Sequence, residues 1–268
     1  MTHVRTLATL EGYAVEGGYD VATGPMTCFA ATSALGRHAT PGVAEDLWRD
    51  YEAVIDLGAT LGLDGVCVNL EWARLAPARD VFDDAAAARY SRALQRARDQ
   101  GLWVSAVVVD RAWPAWAGQE AWLLPWVEPV FLRHAQRLVE FFFEFVDGFV
   151  PFRDVEALAR RGFVDGNSPP WRRNATADAH VVANNVSRLE ASVRALAPEK
   201  MVGSHRSIDL DVAPEQLVKA RRDGTIDELH LRSLVRGVGP GASRAGLLAR
   251  VAGQWRVNAP EELLLVWR

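Results

Sequence analysis

GVCVNLEW, residues 65–72, opens the stretch GVCVNLEWARLAP (65–77), and its reading decides the fold. It is short, β-branched and aromatic, the composition of a strand. Five other runs share that character: LWVSAVVVD (102–110), GFVPFRDVE (148–156), MVGSHRS (201–207), IDELHLR (226–232) and ELLLVWR (262–268). The segments between them, 43–61, 83–100, 127–146, 175–197, 213–222 and 241–254, carry helical periodicity. In the first, Leu47, Tyr51, Val54 and Leu57 recur at spacings of three and four; in the second, Ala87, Tyr90, Leu94 and Ala97 do. Asp83 marks one helix start and Pro214 another. GYAVEGG (12–18) reads as a first strand. Strand alternating with helix predicts an α/β protein with a parallel sheet, and the regular succession favours a barrel over an open sheet. The strands number one fewer than eight, so the expectation is a (β/α)8-type barrel shortened at its C-terminal end, occupying residues 1–268 as a single domain.

Composition excludes several function classes. The chain has 268 residues, 34 acidic against 30 basic side chains and a net charge of −4, which gives no basic surface for nucleic acid. No apolar run is long enough to span a membrane, and the N-terminus lacks a signal-peptide core, so a cytoplasmic protein is expected. Cys28 and Cys67 make no disulfide framework. No GxGxxG follows the first strand, and VGPGAS (238–243) lacks a P-loop lysine, so no nucleotide cofactor is expected.

At the level of motifs, GVCVNLEWARLAP resembles the second-strand YRFSISWSRIFP of glycoside hydrolase family 1, the β-glucosidase-like barrels, with Trp72, Arg74 and Pro77 matching. GYAVEGG resembles that family's YQIEGA, retaining Tyr13, Glu16 and Gly17. VVVDRAWP (107–114) stands where the family has LYHWDLP, Ala121-Trp122 where it has GGW, and LLLVWR (263–268) where the strand ending in TENG is expected. The resemblance implies the barrel fold and, equally, the loss of the retaining reaction. The sugar-binding Gln is Ala14, the second-strand Arg beside the nucleophile is Cys67, and the third-strand His is Asp110. The family's NEP, which carries the acid/base Glu, aligns with Glu156, Ala157 and Leu158, and the nucleophile with Trp267. Retaining hydrolysis needs two carboxyl groups about 5–5.5 Å apart.

Barrel active sites lie at the C-terminal strand ends, and side chains alternate across a strand. Val66, Val68 and Leu70 are therefore expected under the helices, with Cys67, Asn69 and Glu71 pointing inward. On the fourth strand Phe152, Asp154 and Glu156 share a parity. The expected mouth collects Glu71, Asp110, Glu156 and His205 as acid/base groups. Glu16, Cys67, Asn69, Trp113, Trp122, His230, Arg232 and Trp267 are expected to contact a ligand. Each also has a structural reading. Glu16 suits a turn that binds backbone amides, Glu71 an ion pair with Arg74 or Arg111, Asp110 a cap, Glu156 a solvent-facing position beyond the rim, and the histidines satisfied rim or core positions; Arg153 and Asp154 read as scaffold. Trp113, Trp116, Trp122, Trp126 and Trp171 suit either sugar rings and aromatic aglycones or a packed loop cluster.

Three functions stay open. One is a repurposed enzyme using these carboxylates on a small polyhydroxylated, glycosylated or polycyclic metabolite, with a role in secondary metabolism as the expectation. The second is a non-catalytic pseudoglycosidase binding a carbohydrate-like ligand or a protein, with a homodimer covering the edge left by a missing strand. The third, a metal-dependent isomerase, has ligand types but no HxxxH or CxxC spacing; no bound metal is expected.

Overall fold

The computed structural model describes residues 3–19, 24–33, 35–37, 41–42, 44–153, 155–203, 205–208, 228–231 and 262–267; for residues 3–6, 156 and those from 205 onward it describes backbone alone. Eight parallel strand segments run β1 (His3–Leu10), β2 (Gly65–Asn69), β3 (Trp103–Val109), β4 (Gly148–Phe152), β5 (Met201–Val202), β6 (His205–Ile208), β7 (Glu228–Leu231) and β8 (Glu262–Trp267). Their order in the sheet is β5-β4-β3-β2-β1-β8-β7-β6. β5 and β6, which follow each other in the chain as an interrupted stave, stand at opposite ends of that order; the first pairs with β4 and the second with β7. β8 lies between β1 and β7, so residues 262–267 pair on both sides.

Five of the six expected strand runs match single strands and the sixth the interrupted stave; the first strand does not. It is HVRTLATL, and GYAVEGG is a turn. Gly17 and Gly18 have φ of 75° and 72°, left-handed values that a strand cannot contain. His3–Leu10 escapes a search for apolar runs because Arg5, Thr6 and Thr9 interrupt it.

The helices stack outside. α1 (Cys28–Ser33) lies in the first loop, α2 (Leu47–Thr60) follows it, and α3 (Trp72–Leu75) is a single turn after β2. α4 (Asp84–Asp99) begins at Asp83, whose carboxylate accepts the Ala85 and Ala86 amides at 2.9 Å. α5 (Val127–Phe142), α6 (Val155–Ala159) and α7 (Thr176–Leu196) follow. The expected α4 stripe, Ala87, Tyr90, Leu94 and Ala97, is fully buried. On α2 the stripe is Leu47, Tyr51, Ile55 and Gly58; Val54 and Leu57 are exposed, because spacings of three drift off a face that continues at four. The expected helices 213–222 and 241–254 lie outside the described residues.

Two buried layers result. Val66, Val68, Leu70, Val104, Ala106 and Phe149 belong to the layer beneath the helices. Leu7, Cys67, Val107 and Val150 fill the barrel axis. Second-strand parity is as expected. At the ends of β3 and β4 the alternation between layers stops: Val107 and Val150 face the axis, yet Val109 belongs to the outer layer and Phe152 packs at about 5 Å on Trp122 and Phe131 there. The register itself is constant, pairing Val107 with Val150 and Val109 with Phe152. Arg153, the first residue past β4, borders the mouth.

Candidate functional site

A cleft of about 750 Å³ opens above the tips of β3 and β4. Tyr13, Ala14 and Phe29 border it from the first loop, Asp110, Arg111 and Trp113 from the end of β3, and Arg153 from the end of β4. Ala157, Leu158, Arg160 and Arg161 follow along α6 and the π-helical turn after it, and the loop from Asp165 to Trp171 closes the far side.

At its base four charged side chains interlock. Arg153 Nη1 lies 3.2 Å from Asp110 Oδ2 and 3.5 Å from Glu11 Oε1. Arg111 Nη2 donates to Glu11 Oε2 at 3.1 Å. Arg153 and Asp110 are each 4% exposed. Burial opposes the guanidinium charge of Arg153, but Asp110, the adjacent Cys67 and Glu11 outweigh it and hold its pKa above the usual value.

Behind the cleft, out of its reach, sits a second polar centre. Glu16 is fully buried, and its oxygens accept from the Tyr19 hydroxyl, from Tyr51 and Tyr90 at 2.6 Å each, and from Arg74 Nε at 3.0 Å. Arg74 also donates to the Gly17 carbonyl at 2.8 Å, with its guanidinium 3.9 Å from the Trp48 ring. Glu71, 1% exposed, caps α3 through the Ala73 amide and accepts from Tyr13 N at 3.3 Å and Asn69 Nδ2 at 3.2 Å. Gly12 permits this approach: a Cβ there would stand 2.2 Å from Asn69 Nδ2 and 2.5 Å from Glu71 Oε2. Burial first, then the nearby Glu16 and Asp110 charges, push the Glu71 pKa up to about 8.

The expected residues therefore separate. Asp110 and Trp113 border the cleft. Cys67 and Asn69 point inward as parity requires, but lie buried below it. Glu71 and Glu16 are not on its walls: Glu71 holds the first turn and Glu16 braces α2, α3 and α4, the structural readings of a turn-holding and a salt-bridged carboxylate. Trp122 packs among Trp72, Trp113, Phe131 and Phe152 and is core, and the Trp116 indole is tied to the Ala76 carbonyl at 2.8 Å. Glu156 falls within α6, and His205, His230 and Trp267 within β6, β7 and β8, but their side chains lie outside the described residues, as does the whole of Arg232. No group of three His, Cys, Asp or Glu able to hold a metal occurs among the described residues.

The strand boundaries also correct the register of the NEP alignment. β4 ends at Phe152 and α6 begins at Val155, so a motif at the strand tip falls on Arg153, Asp154 and Val155 rather than on 156–158. Asp154 itself lies outside the described residues. Arg153, Arg111, Tyr13 and Phe29 are the cleft residues that sequence reasoning missed. Arg153 lies one residue past the end of β4, where strand alternation no longer fixes the direction of a side chain.

No protein-family model matches the chain, and no curated protein sequence matches it. Solved structures do. A β-glucosidase from Exiguobacterium marinum superposes with a TM-score of 0.69 at 19% identity, covering 95% of this chain and 60% of that one. An aphid myrosinase gives 0.69 at 15% identity, covering 76% and 47%, and a β-glycosidase from Pyrococcus horikoshii gives 0.68 at 17%, covering 82% and 52%. The chain spans about half to three-fifths of these relatives' lengths. The fold is that of the glycosidase barrels the motifs resemble. No helix among the described residues is long and apolar enough to cross a membrane.

Proposed function

We propose that this protein is a repurposed glycosidase-type barrel that binds a small ring-bearing metabolite in the cleft above β3 and β4, and that it does not carry out retaining glycoside hydrolysis. The observation that carries this reading is the Arg153–Asp110 pair at the cleft base. A retaining site needs a carboxyl group that gives up a proton and a second that attacks. The Arg153 guanidinium does neither, since it stays protonated in proteins; of the residues a strand-tip motif falls on, Asp154 alone is a carboxylate, and this reading expects it not to serve as the retaining acid/base. The second-strand Arg of the family is Cys67 here, and Arg153 brings a guanidinium back beside that thiol from β4. The aromatic borders suit a ring: Tyr13 stacks on Phe29 at 5.1 Å, and Trp171 meets Phe29 edge-on at 6.0 Å.

The test is to titrate the full chain with aryl β-glycosides while following tryptophan fluorescence and aglycone release. Saturable quenching without turnover is expected. Steady release of 4-nitrophenol from its β-glucoside would overturn the reading, and so would the absence of binding to every ring-bearing ligand.

A second reading, acid–base catalysis on the bound ligand, is favoured by Asp110, a carboxylate on the cleft wall. Asp154, adjoining Arg153 in the chain, is the second candidate carboxylate. Asp110→Asn, which keeps the shape and removes the charge, should abolish conversion of the ligand while leaving its binding measurable. Undiminished conversion would remove Asp110 from this role.

A further inference from the structure

Resting on the cleft being a ligand site, we infer that its ligand carries an anionic group, a carboxylate, phosphate or sulfate, held by Arg153, Arg111 and the Tyr13 hydroxyl. The Nε and Nη2 of Arg153 and the Nε of Arg111 are buried and make no hydrogen bond to an oxygen among the described residues; Arg111 Nε faces Asp110 Oδ2 at 4.0 Å, an ion pair beyond hydrogen-bond distance. The Tyr13 hydroxyl is likewise buried and unpartnered, on a side chain 7% exposed. All three residues border the same cleft. Burial of the Tyr13 phenol raises its pKa, so it remains a donor near neutrality.

The unmet groups on these three residues are all N–H or O–H. A buried donor without an acceptor is destabilising, and satisfying it favours whatever brings the acceptor. Guanidinium groups accept planar or tetrahedral oxyanions in two-pronged hydrogen bonds that are stronger than those to neutral oxygen. Glu11 and Asp110 meet Arg153 through Nη1 alone and leave its Nε and Nη2 without a hydrogen bond to oxygen. The Cys67 thiol beside Arg153 is a weak acceptor. The ligand reading is therefore a ring between Tyr13, Phe29, Trp113 and Trp171, bearing its negative group toward the tips of β3 and β4.

A matched pair of probes tests this without any variant. Phenyl β-D-glucoside and phenyl β-D-glucuronide share their rings and differ in one hydroxymethyl against one carboxylate. Calorimetry on the full chain should give the glucuronide the lower Kd by about tenfold or more. The ratio should shrink at high salt. Inorganic phosphate should compete with the glucuronide more strongly than with the glucoside. Arg111→Gln, whose loss leaves Glu11 facing Arg153, should narrow the ratio while the melting curve stays cooperative. Equal affinities for the two probes would overturn the anion subsite and leave the ligand cleft standing. Binding of neither would remove the cleft reading and the subsite with it. A glucuronide preference that phosphate does not erode would place the anion elsewhere on the molecule and overturn the assignment to these residues.

Discussion

The barrel contains two buried arginine–carboxylate centres that differ in one respect. Around Glu16 the hydrogen bonds close. Three tyrosine hydroxyls and Arg74 meet the carboxylate, and Arg74 spends a second nitrogen on the Gly17 carbonyl. Around Arg153 they do not. One nitrogen meets Asp110 and Glu11, while Nε and Nη2 are left without an oxygen. A satisfied polar cluster rigidifies a scaffold, and a partly satisfied one is costly unless something completes it. The motif residue Glu16 is therefore held as architecture, and the proposed ligand site lies where the chain departs from the motifs it resembles.

The largest test of that contrast is Glu16→Ala. It strands a buried guanidinium and three hydroxyls, so urea unfolding should show a loss of about 3–5 kcal/mol. A loss below about 1 kcal/mol would mean that the cluster is not bearing the scaffold.

Glu71 joins the two centres electrostatically, and its titration is the next test. Its folded pKa of about 8 exceeds the ordinary 4.5. The folded state thus binds the proton more tightly than the unfolded chain. The associated stability is complete below about 4.5 and is lost progressively as pH rises toward about 8. Glu71→Gln cannot titrate. Relative to wild type its unfolding free energy should improve across that window by a few kcal/mol at most. Parallel pH profiles for the two proteins would show that Glu71 is charged throughout.

Two tyrosines give the finest comparison. Tyr51→Phe removes a 2.6 Å hydrogen bond to a buried carboxylate and should cost about 1.5–3 kcal/mol. Tyr13→Phe removes a hydroxyl without a partner and should fall within about 0.5 kcal/mol of wild type in the absence of ligand. A Tyr13→Phe loss as large as that of Tyr51→Phe would show that the cleft is already complete in itself.

Much of the fold was legible because its signals are local. β-branched runs placed β2, β3, β4, β7 and β8, and the Asp83 cap and alanine-tyrosine stripe placed α4. The first strand was not legible: the polar residues of HVRTLATL hid it, and the glycine-rich turn beside it carries the memorable motif. The candidate site was half legible. Asp110 and Trp113, which border the cleft, follow from the end of β3, where the boundary is clear. Glu71, placed by parity, and Glu16, placed by its motif, lie off the cleft, because neither signal says what will cover a side chain. Tyr51 and Tyr90 arrive from α2 and α4, far away in sequence. Arg153 was read as scaffold because strict alternation was carried past the end of β4 at Phe152.

The early end of β4 has a consequence for the whole mouth. Past the last rung of a stave, the pleat no longer dictates which way the next side chain turns. Here Phe152 sends its ring to the helices, and Arg153, one step on, delivers a permanent positive charge to the central opening. A rim position of this kind can be re-keyed from oily plug to ionic latch without disturbing the staves below it.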